Sequence, residues 1–359
     1  MDNYYALIMA GGGGTRLWPL SRKNRPKQML SLVGSNSLFH ISVTRLASLF
    51  PPGRIFVVAG ESQVEALRAD VPELPAENFI IEPFGMDSGP AAALGVAHIA
   101  KINPDAVIAI LTADHYIGDV WGFCDALRAA HEVAQKGFIV TLGIKPTYPA
   151  TGFGYIQQGE ELITAYNLKI YHSSGFKEKP DNDTARQFVD SKQYSWNSGM
   201  FIWSAAQALD EFKRQQPGLY DLLTTIQSAH ASADYRATIE KVWSQMPKIS
   251  LDYAVMEKAE KVAMIPIDIG WSDIGSWAAV YDELAGASGE NVMMGDGSHV
   301  DIDAHGALIN SNRMVVTIGV DNLVIVDTDD VLMICTRDRA QDVKLAVQHM
   351  KDHKLDRYL

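Results

Sequence analysis

The sequence predicts an α/β protein with a mainly parallel mixed sheet covered by helices on both faces, followed by a small C-terminal β-rich domain. Up to about residue 145, short apolar runs alternate with helical patterns, which is typical of parallel strands joined by helical crossovers. Near residue 285 the pattern changes to short β-rich segments at close spacing. A chain of 359 residues is long enough to bury a large core and to form about two domains.

The apolar runs of the first half are predicted strands over residues 4–10, 55–59, 79–82, 106–111 and 138–144. The stretches between them have helical spacing and are predicted helices over residues 38–49, 62–71, 90–102 and 121–135. In such a sheet, ligands bind beyond the carboxyl ends of the strands. Gly11, Glu82 and Asp114 each follow a strand at such an end, so the sequence allows all three to line one cleft.

The later part of the chain is predicted to contain glycine-rich extended segments, a helical region and a further strand. In order, these cover residues 151–157, 175–180, 196–203, about 205–245 and 262–267. The small, polar segment at 285–291 marks a boundary. We therefore expect a first domain, 1–285, with the candidate catalytic residues, and a second domain, 286–359, with a packing or dimerisation role.

The composition, 47% hydrophobic and 21% charged residues, is ordinary for a soluble globular protein. No apolar run approaches the roughly 18 residues of a membrane span, and the N-terminus lacks the features of a signal peptide. We therefore expect a cytoplasmic protein without membrane contact. Cys124 and Cys335 have no metal-ligand spacing and are interpreted as buried apolar residues. The formal charge of −12 argues against nucleic-acid binding as the main task.

A run of glycines follows the first predicted strand and is followed in turn by cations. The glycines are Gly11, Gly12, Gly13 and Gly14, and the cations are Arg16, Arg22, Lys23, Arg25 and Lys27. Glycine lets backbone N–H groups approach a ligand closely, because it has no Cβ. Between residues 3 and 60 there are seven Lys or Arg residues and no Asp or Glu. This pattern favours a loop for a polyanion such as a nucleoside triphosphate, and the alternative is a flexible turn with a solvated basic face.

Two familiar phosphate loops do not fit this segment. The Walker A spacing is absent, because no Lys-Ser or Lys-Thr pair follows a glycine at the required distance. The dinucleotide fingerprint is broken, because Arg16 stands where its last glycine belongs. The kinase-like and dehydrogenase interpretations are therefore excluded.

Asp114 ends the fourth predicted strand, in the motif AILTADHY, where a carboxylate can bind Mg²⁺ beside a phosphate cleft. Asp273, in the motif GWSDIGSW, is the candidate for a second ligand, because Gly270 and Gly275 permit a sharp turn around it. For either aspartate alone, a helix cap or a turn is an equal alternative. His115 is a candidate to orient Asp114 or to contact phosphate, with a buried structural role as the alternative.

Glu178 and Lys179 are adjacent in the motif GFKEKP. Neighbours on a strand face opposite sides, so both reach one ligand only if the chain bends, and Pro180 favours a bend. A carboxylate suits sugar hydroxyls, and an ammonium suits a phosphate. The alternative is a pair of solvated charges on an edge strand.

With these motifs in order, the chain resembles the sugar-1-phosphate nucleotidyltransferases, and within them the bacterial mannose-1-phosphate guanylyltransferase (GDP-mannose pyrophosphorylase) family. The motifs are GGGGTRLWPLSRKNRPKQ, EPFGMDSGPAAA, TADH, GYIQ, FKEKPD, WNSGMFIW, SLDYAVMEKA and GWSDIGSW, and together they span almost the whole chain. The most specific is TRLWPLSR followed by PKQ. The resemblance implies a Rossmann-like (GT-A type) fold with a β-helix-like C-terminal domain.

The resemblance also implies a role for each site residue. For the nucleotide these are Gly11, Gly12, Gly13, Gly14 and Thr15, with Arg16 and Lys27 as the working cations, and Glu82, Pro83, Asp87 and Ser88 in the loop around guanine. For the sugar phosphate they are Gly154, Glu178 and Asn197 at the hydroxyls and Lys179 at the phosphate. Asp114 and Asp273 would hold Mg²⁺. Arg22, Lys23 and Arg25 would only shape the electrostatic field.

The implied reaction is Mg²⁺-assisted transfer of GMP from GTP to α-D-mannose 1-phosphate, by in-line attack of the sugar phosphate on the α-phosphorus. Its products are GDP-mannose and pyrophosphate, and the implied assembly is a homodimer. One motif departs from the family pattern: Met86, Asp87 and Ser88 replace a basic residue followed by Asn-Thr. Two alternatives therefore stay open: a related nucleotidyltransferase for another NTP or hexose 1-phosphate, and a non-catalytic nucleotide-sugar sensor.

Overall fold

A computed structural model describes residues 1–12, 14–229, 232, 234–285 and 289–359. The chain forms two compact units, the first made of residues 1–11, 43–113 and 117–271 and the second of residues 12–42, 114–116 and 272–359. The predicted domain boundary near residue 285 lies beside residues 286–288, which are outside the described residues, and it stays a prediction.

The strands, in chain order, are β1 (Tyr4–Met9), β2 (Ile55–Gly60), β3 (Phe79–Glu82), β4 (Val107–Thr112), β5 (Tyr116–Ile117), β6 (Ile139–Ile144), β7 (Tyr155–Ala165), β8 (Leu168–Lys177), β9 (Tyr194–Ser204), β10 (Val262–Ile267), β11 (Trp271–Ser272), β12 (Val292–Met294), β13 (His299–Ile302), β14 (Leu308–Asn310), β15 (Val315–Ile318), β16 (Leu323–Asp327) and β17 (Leu332–Thr336). The helices are α1 (Leu38–Thr44), α2 (Glu61–Asp70), α3 (Ser88–Ile102), α4 (Val120–Ala134), α5 (Asn182–Ser191), α6 (Ala205–Gln215), α7 (Pro217–Ala229), α8 (Tyr235–Trp243), α9 (Leu251–Ala254), α10 (Trp277–Ala285) and α11 (Val343–Asp352). Among the described residues, no helix is long and apolar enough to cross a membrane.

The first unit is built on one mixed sheet with the strand order β3-β2-β1-β4-β9-β6-β10-β8-β7. Strands β3, β2, β1 and β4 run parallel, as the alternation of strands and helices predicts. The β6–β10 pair is also parallel, whereas β7, β8 and β9 pair antiparallel with their neighbours. The predicted mixed sheet is confirmed, and its antiparallel part comes from the segments that sequence analysis described only as extended.

Helices cover both faces of this sheet. Successive residues of β1 point to opposite faces, so Leu7 and Tyr4 contact different helices. Leu7 faces α3, where Gly95 permits close approach: a Cβ there would lie 2.5 Å from Leu7 Cδ2. Tyr4, on the other face, donates a hydrogen bond of 2.9 Å to the main-chain oxygen of Leu127 in α4. The predicted helical region 205–245 is divided, and Pro217 begins α7 because proline suits the first turn of a helix.

The second unit contains a β-helix-like domain with a repeat of 16 residues. In the parallel ladder β12–β14–β16, Val292 pairs with Leu308 and Leu308 with Val324. The β13–β15 pair keeps the same offset, since His299 pairs with Val315. Inward-facing Leu308 and Val324 pack in one core cluster with Leu17, Trp18, Trp277 and neighbouring apolar residues. This confirms the predicted β-rich tail.

Candidate active site

After β1, Gly12 and Gly14 belong to the second unit and have backbone angles that favour glycine. Gly12 has φ +100° and Gly14 has φ +56°. A Cβ on Gly14 would overlap the Cβ of Lys27 and lie 3.2 Å from its backbone nitrogen, so only glycine fits there. Ser21 Oγ donates a hydrogen bond of 2.8 Å to the main-chain oxygen of Gly14. Gly13, also a predicted site residue, lies outside the described residues.

The cations after the glycines differ in what they contact. Thr15 and Arg16 are exposed, and Arg16 makes no ion pair with any described residue. Arg22 instead pairs with Asp330 at 2.8 Å and donates to the main-chain oxygen of Tyr358. Arg22 therefore holds the basic loop against the C-terminal region, whereas Arg16, like Lys23 and Arg25, is exposed to a ligand.

Lys27 is buried and connects the two predicted metal ligands. Its Nζ lies 2.8 Å from Asp114 Oδ2 and also donates a hydrogen bond to the main-chain oxygen of Asp273. Burial would raise the pKa of Asp114, but the charges of Lys27 and then His115 outweigh it and hold that pKa below its usual value. His115 Nε2 lies 3.9 Å from Asp114 Oδ1, and its predicted role in orienting that carboxylate stays a prediction.

Asp273 sits in the sharp turn that its sequence context predicts. Gly270 has φ +59°, and the turn continues through Ile274 at φ +39°. The Asp273 carboxylate accepts a hydrogen bond of 3.2 Å from the Gly275 nitrogen. Trp277 is fully buried after the turn, and its Nε1 donates a hydrogen bond of 3.0 Å to the main-chain oxygen of Trp18. The turn is therefore held by a hydrogen bond within it and by the buried Trp277 that follows it.

These residues fit a Mg²⁺ site of the kind completed by substrate. Asp114 and the main chain of Asp273 meet at one cation, the Lys27 ammonium, and both aspartates supply the hard oxygen atoms that Mg²⁺ prefers. Within the part of the chain that the structure describes, no group of three or more His, Cys, Asp or Glu side chains forms a closed metal cage. Mg²⁺ needs no such cage, because one or two carboxylates, phosphate oxygens and water suffice.

Glu82 ends β3 in the first unit with an unusual carboxyl group. The residue is 5% exposed, and Oε2 makes no hydrogen bond to any described residue. Oε1 lies 3.8 Å from the position that a Cβ on Gly11 would occupy. Burial raises the pKa of Glu82 to about 7. A buried carboxyl without a partner is costly, so this group is suited to a ligand that donates hydrogen bonds.

The loop after Glu82 is anchored on the segment that ends in α9. Trp243 Nε1 donates a hydrogen bond of 2.6 Å to the main-chain oxygen of Phe84. Ser88 Oγ accepts one of 2.9 Å from the Leu251 nitrogen. Asp87, which has φ +73°, is the N-cap of α3, and its side chain accepts a hydrogen bond from the Ser88 nitrogen. The side chains of Asp87 and Ser88 thus shape the loop, and Pro83 lies half-buried at its start.

The predicted sugar residues come together in the first unit. Glu178 is 9% exposed, so the solvated-edge alternative does not hold for it. Its Oε1 lies 2.6 Å from Lys179 Nζ, and Lys179 has φ +44°, which supplies the bend that brings both side chains together. A Cβ on Gly154 would overlap Glu178 Oε2 and lie 3.3 Å from Asn197 Cβ. Gly154 is therefore required for this packing.

Asp252 joins this group and is not among the site residues that the sequence predicts. Its Oδ1 accepts a hydrogen bond of 2.8 Å from Asn197 Nδ2. Burial and then the Glu178 charge raise the pKa of Asp252 to about 6. The only sequence signal was its place in the motif SLDYAVMEKA, where Ser250 caps α9.

Comparison with known proteins identifies relatives of both parts of the chain. Residues 5–288 match the family described as Nucleotidyl transferase. Residues 297–350 match the family described as MannoseP isomerase/GMP-like beta-helix domain.

Individual relatives match over nearly the whole chain. Mannose-1-phosphate guanylyltransferase of Klebsiella pneumoniae is 36% identical over 98% of this chain and 75% of its own length. The alginate biosynthesis protein AlgA of Pseudomonas aeruginosa is 36% identical over 96% of this chain and 71% of its own length. A crystal structure from Thermus thermophilus, described as mannose-1-phosphate geranyltransferase, is 36% identical with a TM-score of 0.88, covering 97% of this chain and 99% of that one.

Proposed function

Because the chain belongs to the mannose-1-phosphate guanylyltransferase family of nucleotidyltransferases, we propose that it transfers GMP from GTP to α-D-mannose 1-phosphate. A phosphate oxygen of the sugar phosphate forms a bond to the α-phosphorus of GTP. The bond from that phosphorus to the bridging oxygen breaks, and pyrophosphate leaves with the electron pair. The products are GDP-mannose and pyrophosphate.

The observation that carries this proposal is the Lys27–Asp114–Asp273 cluster beside the glycine segment. The sugar phosphate is itself the nucleophile, so the protein has to position two anions and neutralise charge rather than supply a Ser-His or Cys-His pair. Backbone N–H groups from Gly11 to Gly14, with Thr15, hold the triphosphate. Arg16 and Lys27 balance the charge that develops on pyrophosphate.

Nucleotidyltransferases of this family generally use a divalent metal ion. We assign Mg²⁺ to Asp114 and Asp273, where it would neutralise phosphate charge and polarise the α-phosphate. Lys27 keeps Asp114 ionised and in place, since its ammonium contacts that carboxylate directly. His115 supports the same carboxylate from its other oxygen.

The first unit supplies recognition of the base and the sugar. Guanine presents adjacent N–H donors, and the buried Glu82 carboxylate is an acceptor without a protein partner among the described residues. We assign Glu82 to these donors, with the loop through Pro83, Asp87 and Ser88 around the base. Gly154, Glu178 and Asn197 receive the mannosyl hydroxyls, and the half-exposed Lys179 receives the sugar phosphate.

A homodimer through the C-terminal β-rich domain is part of the proposal. The parallel pair β13–β15 presents apolar side chains to solvent in two cross-strand pairs, Val300 with Val316 and Ile302 with Ile318. Their exposed fractions are 43%, 53%, 54% and 63%. A face of this kind is best covered by protein.

Two other functions are separated by one experiment, a panel of NTPs and hexose 1-phosphates with pyrophosphate release as the readout. We expect release with GTP and mannose 1-phosphate in the presence of Mg²⁺. Release with another pair would support the related-nucleotidyltransferase alternative, for which the Met86–Asp87–Ser88 departure is the reason. Binding of GDP-mannose with no release from any pair would support the sensor alternative.

A further inference from the structure

Asp252 lies between the residues assigned to the sugar phosphate and the nucleobase loop, residues 82–88. It is the second residue of α9, and its side chain is partly buried. Its Oδ1 accepts a hydrogen bond of 2.8 Å from the amide nitrogen of Asn197, one of the residues assigned to the sugar. Asp252 therefore contacts one of the residues assigned to the sugar and has itself no assigned contact with the ligand.

The hydrogen bonds that the Asn197 side chain already makes limit what it can offer to a ligand. Its Oδ1 accepts from Thr141 Oγ1 at 3.3 Å and from the Gly199 nitrogen at 3.1 Å, which uses both lone pairs. One Nδ2 hydrogen goes to Asp252, so one N–H is left without a partner among the described residues. Asn197 can thus donate a single hydrogen bond to a ligand and cannot accept one.

The remaining N–H lies in a defined neighbourhood. The same glycine, Gly154, packs against both Glu178 Oε2 and Asn197 Cβ. Glu178 gives its other oxygen to Lys179. A sugar ring at Gly154 would therefore meet a donor from Asn197 and an acceptor from Glu178, the pair that a hydroxyl group needs.

The position of Asp252 is itself fixed from two sides. Helix α9 has only four residues, so it depends on external contacts. Ser250 caps it, and Leu251 donates from its backbone to Ser88 Oγ at 2.9 Å. Gly89 donates to the main-chain oxygen of Ile249 at 3.0 Å. The nucleobase loop thus holds the helix that holds Asn197.

We propose that Asp252 is a positioning residue of the sugar pocket, whose carboxylate orients the Asn197 amide so that its free N–H meets a sugar hydroxyl beside Glu178. This inference rests on the proposed function, since it takes mannose 1-phosphate as the ligand. Asp252 acts through Asn197 and does not touch the reacting atoms. Loss of its side chain should therefore weaken sugar-phosphate binding more than nucleotide binding.

The test compares Asp252→Ala, Asp252→Asn and the control Glu257→Ala, which removes an exposed carboxylate five residues away. Calorimetric titration gives the dissociation constant for mannose 1-phosphate, and steady-state rates give KM for each substrate. We expect Asp252→Ala to weaken sugar-phosphate binding about tenfold while KM for GTP stays within about twofold. Asp252→Asn should recover most of the loss, because its side-chain oxygen still accepts from Asn197.

A second readout reports the charge of Asp252 rather than its packing. The charged groups that face it are Glu178 and Lys179, with Tyr253 nearby. The ionised Asp252 adds a negative charge that repels the sugar phosphate. The dissociation constant of the wild type relative to Asp252→Asn should therefore rise as pH increases through about 6, and titration of the substrate phosphate cancels in this ratio.

Each outcome decides a different statement. An Asp252→Ala protein that binds mannose 1-phosphate like the wild type, or that loses affinity for both substrates equally, overturns the positioning role. If Asp252→Ala does not fold, Asp252→Leu, which keeps a similar volume and lacks the acceptor, takes its place with the same two overturning outcomes. A wild type that binds mannose 1-phosphate but releases no pyrophosphate contradicts only the proposed function, and one that does not bind it contradicts both.

Discussion

Lys27 Nζ lies 2.8 Å from Asp114 Oδ2, although the two residues are 87 positions apart in the sequence. The same ammonium donates to the main chain of Asp273. One buried cation thus joins the Asp114 carboxylate to the main chain of Asp273, the other residue assigned to the metal ion. In the proposed mechanism Lys27 has two tasks, because it would organise the metal ligands and balance phosphate charge.

Replacing Lys27 by methionine should lower kcat about a hundredfold, since a charge partner of the transition state is lost. The pKa of Asp114 should also rise, because Lys27 is the larger of the two charges that lower it. Lys23→Met is the matched control, since Lys23 is an exposed cation of the same segment. Equal rates for the two variants in a pyrophosphate-release assay would contradict the role of Lys27.

Asp273→Asn should abolish Mg²⁺-dependent turnover while the fold stays intact. The carboxylate accepts one local hydrogen bond, from the Gly275 nitrogen, and an amide oxygen can accept the same bond. Turnover should be measured against Mg²⁺ concentration and after chelation, together with thermal melting. A variant that kept the wild-type rate would show that the metal assignment is wrong.

Gly154→Ala should raise KM for mannose 1-phosphate about tenfold or more, because the new methyl group overlaps Glu178 Oε2 and displaces it. KM for GTP should change little. Gly152→Ala is the control, since a Cβ on Gly152 meets no atom within 4 Å. Steady-state kinetics with each substrate varied in turn would check this, and a Gly154→Ala enzyme with normal sugar-phosphate KM would argue against Glu178 at the hydroxyls.

Glu82→Gln should stabilise the protein at pH 8 and weaken GTP binding. Burial raises the Glu82 pKa from 4.5 to about 7, so its neutral form favours the folded state. That contribution is complete below pH 4.5, falls as pH rises through 7, and corresponds to about 3 kcal/mol. Glutamine does not ionise, so the wild type alone should lose this free energy of unfolding.

Denaturant titrations of both proteins at pH 4.5 and pH 8 test the sign of this effect. The difference in unfolding free energy should appear only at the higher pH. Binding of GTP by the wild type should weaken as pH falls below about 7, since guanine donors require the ionised carboxylate. Equal stability differences at both pH values would rule out the buried-carboxyl explanation.

Val316→Lys together with Ile318→Lys should convert the proposed dimer to a monomer. Both side chains are more than half exposed on β15, where lysine is tolerated by the monomer but not by an apolar interface. Size-exclusion chromatography with light scattering measures the mass directly. A wild type that is only monomeric would remove the dimer from the proposal.

The sequence predicted local elements better than the contacts between distant residues. Strands β3 and β10 match their predicted bounds, 79–82 and 262–267, because apolar runs end there at polar residues. The sequence pattern predicts region 205–245 only as helical. Its division follows from Pro217, because proline is favoured at the first position of a helix. Asp252 was missed because nothing in a linear pattern indicates contact with Asn197, 55 residues away.

The site residues show the same limit. The sharp turn at Asp273 follows from its flanking glycines, and the bend at Lys179 was one of two interpretations. The Glu82 carboxyl, which has no partner in the described part of the chain, is buried by several elements, so no local motif indicates its state. Residue types and spacing predicted a polyanion loop and a metal site, whereas the charge states and contacts of these residues required the fold.

The offset of 16 residues between Val292, Leu308 and Val324 makes the length of the β-helix-like domain a discrete quantity. Side chains alternate between inside and outside along each strand, so inserting a single residue would turn apolar side chains outward. A whole added coil preserves every pairing. Variation in the size of this domain should therefore occur in steps of one whole coil.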